Sequence, residues 1–153
     1  FKYPGNPELC ESTSDYINKV KGFRIAEQYL IAAEANAMNN NESQANKYLN
    51  ALRKSRIPGY EESSYSGAEL IKQIKDERTK ELFGEGFRFT DLKRWNEGFK
   101  RSEAQDKNII NNAGSANTEL LAKNASDFRW VWPIPQAEID SNPQIEEQQN
   151  KGY

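Results

Sequence analysis

Residues 23–40 read FRIAEQYLIAAEANAMNN, and the apolar residues Phe23, Ala26, Leu30, Ala33 and Ala37 recur at steps of three and four. That spacing is a helical stripe, and its alanines admit close approach of a neighbouring helix. The asparagines at 39–41 end the stripe. Asn41 then stands as N-cap to ESQANKYLNALRKSR, with Glu42 in the first turn and Arg53, Lys54 and Arg56 in the last, where a helix dipole favours each sign. Ala45, Tyr48, Leu49 and Leu52 form the matching stripe, so the short polar turn predicts an antiparallel hairpin. After the Pro58-Gly59 turn a third helix is expected over residues 67–83, stopped at Gly84. A short fourth helix is expected to be capped by Thr90 or Asp91, with Leu92, Trp95 and Phe99 on one face.

The 153-residue length suits a single domain, residues 1–153. Its parts are an extended lead-in over 1–22, a helical part over 23–99, and a loop with a clamping tail over 100–153. Pro133 and Pro135 forbid regular helix in that tail, where Phe128, Trp130 and Trp132 alternate as in an extended strip. The surface must be very polar, because hydrophobic residues make up 36% of the chain and charged ones 29%. An aromatic share of 11% argues for a packed core all the same. With a net charge of −2 there is no basic field to hold nucleic acid. No histidine is present, which removes the usual general base and the commonest zinc ligand. The lone Cys10 has Glu8 and Glu11 beside it, which raise rather than lower a thiol pKa. No cofactor, metal or catalysis is expected, and no apolar run is long enough to span a membrane.

One stretch needs a special account. DERTKELFGEGFRFTDLKRW, residues 76–95, crowds arginines, carboxylates and aromatic rings around a Gly-Glu-Gly hinge. On the third helix Ile71, Ile74, Arg78 and Glu81 share a stripe, which brings charges onto the apolar face. Buried charges persist only when paired, so Arg78, Glu81, Glu85, Arg88, Asp91 and Arg94 are expected to form a structural charge network. Glu81 and Glu85 could in principle serve as a glycosidase pair. Flanking arginines lower carboxylate pKa values, the wrong direction for a general acid. Phe83, Phe87, Phe89 and Trp95 read as core wedges, and Trp130 and Trp132 as pins for the tail.

Four blocks in order, FRIAEQYLIAAEANA, LNALRKSR, IKDERTKELFGEGFRFTDLKRW and WPIPQAEIDSNPQIEEQQNKGY, resemble the C-terminal region of the SusD/RagB family of outer-membrane nutrient-binding lipoproteins. Glu77, Arg78, Glu81, Leu82, Glu85, Gly86, Arg88, Asp91, Leu92, Arg94 and Trp95 fill the slots of its best signature. Lys151 departs from the proline usual before the closing Gly-Tyr. The resemblance implies an all-α, tetratricopeptide-like scaffold of helical hairpins with long irregular loops and an extended C-terminal tail. Ala33, Ala45 and Tyr29 echo the small and aromatic spacing of such a hairpin. It further implies a non-catalytic, cell-surface protein that captures oligosaccharides and hands them to a SusC-like TonB-dependent transporter. Complete members are several times longer, so the chain is expected to be a C-terminal fragment, attached to the membrane only through a lipid anchor that it lacks; Cys10 is not that anchor. Tyr60 and Tyr65, on a Gly- and Ser-rich loop, are the candidate sugar-stacking rings. The alternative reading is a tetratricopeptide-like adaptor, which would hold a peptide in a groove lined with Lys, Arg or Asn.

Overall fold

The computed structural model describes residues 22–101 and 122–153. Cys10, most of the lead-in and most of the 100–128 excursion lie outside the described residues. The chain divides into two compact units, one ending at Leu82 and the other beginning at Phe83.

In the first unit, α1 (Ile25–Met38), α2 (Glu42–Arg56) and α3 (Gly67–Glu81) pack on one another. Each helix buries one stripe at the expected period. The buried residues are Ala26, Leu30, Ala33 and Glu34 on α1, Ala45, Asn46, Leu49, Asn50, Leu52 and Arg53 on α2, and Leu70, Ile74, Glu77 and Arg78 on α3. Alanines at 33 and 45 meet the large side chains of Leu49, Leu70 and Ile74 in one cluster, while Ala26, Leu30 and Leu52 form a second. Small residues at the contact let the backbones approach, and the leucines fill the remaining space. Phe23 does not join the core. It precedes the helix and stands exposed, because α1 begins at Ile25 with Arg24 as its N-cap. The turn over residues 39–41 closes as the asparagine run predicts, with Asn40 in the left-handed conformation at φ 58° that Asn tolerates better than most residues.

The second unit opens with α4 (Phe87–Trp95), which starts earlier than expected. Its N-cap is Gly86, left-handed at φ 86°, and neither Thr90 nor Asp91. A side chain at 86 would strain that turn, so glycine is what lets α4 begin there. Phe99 leaves the helix and pairs as β1 (Phe99–Lys100) with β2 (Ala122–Lys123), antiparallel and with Phe99 opposite Lys123.

Trp130 is the centre of this unit. It is buried, with ring centroids 5.4 Å from Phe89 and 6.1 Å from Phe99, and its indole N–H donates to the Asn124 carbonyl at 2.7 Å. The expected strip of alternating rings does not form, since Phe128–Trp130 is a 3-10 turn and Trp132 is 81% exposed. Trp130 therefore pins the segment and Trp132 does not.

Past Pro135 the chain makes α5 (Gln136–Ser141), which buries Ile139, and then a 3-10 turn over Pro143–Gln148. Pro135 caps that helix, since a proline limits only the residues before it and itself. The final residues fold back as a latch. The Gln149 amide donates to and accepts from the backbone of Ile134, Asn150 donates to the Trp132 carbonyl, and the Tyr153 hydroxyl donates to the Val131 carbonyl at 3.0 Å. The Tyr153 ring meets Phe128 edge-on at 4.9 Å, and Gly152 lies so close beneath Phe128 that any Cβ would collide with the ring.

Candidate functional site

The carboxylates of the ER..EL signature are ties between helices. Arg53 of α2 donates from Nε to Glu77 of α3 at 2.7 Å and from a terminal nitrogen to Gln73 at 2.8 Å. Both charged side chains are buried, 7% and 10% exposed. Burial works against the Arg53 charge, but the hydrogen bond it donates to Glu77, the contribution of Tyr60 and the attraction of the Glu77 charge together outweigh it and hold the guanidinium pKa above its ordinary value.

One turn later Glu81 receives two parallel bonds from Arg56, each 3.0 Å, and a third from Arg24 at 2.9 Å, while Arg24 also donates to the Glu81 carbonyl. A single carboxylate thus joins the start of α1, the end of α2 and the end of α3. Burial would push its pKa up, and the bonds from Arg56 and Arg24 outweigh that and hold it below the usual carboxylate value.

Of the residues expected in the network, Glu81 has these distant partners, Arg78 is buried beside Glu77, and Asp91 accepts from Arg94 at 2.9 Å within α4. Glu85 is half-buried in the turn, and Arg88 is exposed on α4. Arg24, Arg53 and Arg56 are partners that the sequence pattern does not reveal. They lie 57, 24 and 25 residues from the acids they hold, where helical spacing carries no signal.

Beside these ties lies a polar groove. Residues 62–66 run extended along α2, fixed by two asparagines one turn apart. Asn46 donates to the Tyr65 carbonyl at 2.8 Å and accepts from the Tyr65 N–H at 2.9 Å. Asn50 treats Ser63 likewise, at 2.8 and 3.3 Å, and also accepts from the Tyr60 hydroxyl at 2.8 Å. Two residues of extended chain advance about 6.6 Å and four residues of helix about 6 Å, so the two amides meet alternate backbone units in register. Glu42 closes the arrangement by accepting from the Gly67 N–H that opens α3.

The outer side of this segment and the exposed side of α2 enclose a solvent-open groove of about 760 Å³. Ser43, Ser63, Ser64 and Ser66 line it with Lys47 and Tyr65. Tyr65 reaches the groove, but its ring also lies 5.7 Å from the Arg53 guanidinium and packs on the core. Tyr60 is not among the lining residues, and its hydroxyl is engaged by Asn50.

No group of three His, Cys, Asp or Glu side chains gathers as a metal site among the described residues, and no described helix is long and apolar enough to cross a membrane.

Comparison with known proteins places these features. The SusD family profile matches residues 11–153. A SusD-like protein, P25, of Formosa agariphila is 32% identical over 136 residues, which cover 86% of this chain and 24% of that protein. A solved structure from Bacteroides vulgatus, provisionally assigned as a sugar-binding protein, superposes with a TM-score of 0.66 at 33% identity, over 86% of this chain and 28% of its own. BT4246 superposes with a TM-score of 0.59 at 25% identity, again over 86% of this chain and 23% of its own. The chain thus spans about a quarter of the length of the relatives it matches.

Proposed function

Because the chain belongs to the SusD family, we propose that it forms part of a protein that captures an oligosaccharide or polysaccharide nutrient at the outer-membrane surface. That protein hands its cargo to a SusC-like TonB-dependent transporter and breaks no bond, and a lipid anchor holds it to the membrane. At a coarse level the family is one of sugar-binding proteins with tetratricopeptide-like helical structure. The observation that carries the reading is the match of residues 11–153 to that family. The fate of the signature acids fits it. Glu77 and Glu81 are occupied as ties, and the Glu81 carboxyl, held below its ordinary value, is poor at donating a proton.

In this reading residues 23–82 serve chiefly as scaffold, and the serine-lined groove is where they would touch a glycan. Hydroxyls and the Lys47 ammonium suit sugar hydroxyls, and Tyr65 offers a ring for stacking. The adaptor alternative calls for a groove lined with Lys, Arg or Asn, and this one carries Lys47, Lys54, Asn46 and Asn50, but it needs those asparagines to hold a foreign peptide backbone. Asn46 and Asn50 grip the chain's own loop instead. Calorimetry of the complete gene product against a panel of polysaccharides tests the proposal. Saturable binding of at least one glycan, weakened by Ser64→Trp in the groove, is the expected result. Silence across the panel together with binding of extended peptides would reverse it.

A further inference from the structure

Four charged side chains line the serine groove, and three of them are engaged within the protein. Glu42 accepts from the Gly67 N–H at 2.7 Å, and the Lys54 ammonium stands 3.9 Å from the Glu62 carboxylate. Lys47 is exposed and forms no ion pair among the described residues. Helical spacing sets it in the middle of one wall, since Ser43, Lys47, Ala51 and Lys54 step by four, four and three along a single side of α2. The other wall carries Ser64 and Ser66, two apart on an extended segment and so on one face of it. Ser66 is the N-cap of α3, a position where serine ordinarily bonds the first N–H groups of its own helix, yet its hydroxyl makes no such bond. Glu42 of α2 serves the Gly67 N–H that opens the helix, and the Ser66 hydroxyl is left to the groove.

The polar groups that remain are therefore rich in donors. An ammonium only donates and a hydroxyl does both, whereas the acceptor-only carboxylates beside them are already occupied. The amides of Asn46 and Asn50, which could serve a neutral sugar with donor and acceptor together, are committed to the backbone of Tyr65 and Ser63. We propose that the groove takes an acidic glycan, one whose sugar rings carry a carboxylate or a sulfate ester, with that anion seated on Lys47 and neighbouring ring hydroxyls on Ser43, Ser64 and Ser66. Such a group accepts without donating, and its hydrogen bonds to an ammonium are about twice as strong as those between neutral partners. The volume of about 760 Å³ lies in the range of sites that hold small molecules. The net charge of −2 gives the chain no general attraction for polyanions, so the preference comes from this one position. The inference rests on the reading of the groove as a place where the protein touches glycan.

Titration of the complete gene product with oligouronates, sulfated oligosaccharides and neutral oligosaccharides, each at low and high salt, tests it. Lys47→Gln removes the charge at similar length, and Lys80→Gln, on exposed α3 outside the groove, makes the same change of net charge. Thermal unfolding confirms that both variants fold. The expected result is binding of at least one acidic set, weaker at high salt, with an affinity lowered about tenfold by Lys47→Gln and unchanged by Lys80→Gln. Equal losses from the two variants, or no loss from Lys47→Gln, overturn the proposal. Binding of neutral oligosaccharides alone, weakened by Ser64→Trp, overturns it and leaves the glycan-capture reading standing. Silence across all three sets overturns both.

Discussion

Glu77 and Glu81 stand about one turn apart on α3 and answer to different conditions. The Arg53–Glu77 pair is buried, so removing one partner strands a charge away from water, at a cost of about 3–5 kcal/mol. Glu77→Gln is expected to lower the unfolding free energy by about that amount in urea titration, and Arg53→Met combined with Glu77→Leu to regain most of it, because well-packed apolar replacements of a buried pair are often neutral. Were the double variant as unstable as the single one, the tie would matter for more than its charge. Glu81 is governed by pH. Its folded-state pKa lies below the ordinary value of 4.5, so the unfolded chain binds the proton more readily. The stabilisation is therefore complete above about pH 4.5 and is lost as pH falls through the lowered folded-state value. Acid titration of stability should show this loss, and Glu81→Gln should flatten that part of the curve.

Elements show a division between what local pattern encodes and what only distance encodes. The pairing of residues 62–66 with α2 depends on two side chains, so Asn46→Ala should leave the Tyr65 N–H and C=O without partners, at a cost of about 1–3 kcal/mol. Hydrogen exchange at Tyr65 should quicken, and an unchanged rate would mean that the loop is held by other means. The stripes of α1, α2 and α3 were legible in the sequence because apolar spacing is a local property. So was the turn at residues 39–41, because asparagine both ends a helix and tolerates positive φ. Asp91 looked like a cap because Asp favours that role, but its side chain serves Arg94 and the left-handed Gly86 starts the helix. The burial of charge on α3 was also legible, whereas Arg24, Arg53 and Arg56 as its partners were not. Trp130 and Trp132 show the same limit. Both are tryptophans two residues apart, and only the ring positions of Phe89 and Phe99 decide which one is enclosed.

At the scale of the whole molecule, what stands out is how many polar and charged side chains share the interior with the leucines. Alanines 26, 33 and 45 sit at the helix contacts, and Glu34, Asn46, Asn50, Arg53, Glu77 and Arg78 are buried with them. Apolar surface exposed on unfolding raises the heat capacity, and polar surface exposed with it lowers the same quantity. Scanning calorimetry should accordingly give a heat-capacity increment on unfolding below the usual 12–15 cal/mol/K per residue, roughly speaking, and a value above that range would contradict the account of this interior. A small increment flattens the curve of stability against temperature, which puts the thermal optimum in a broad plateau instead of a narrow peak. Cooling would then loosen such a scaffold less than it loosens one held by an oily centre.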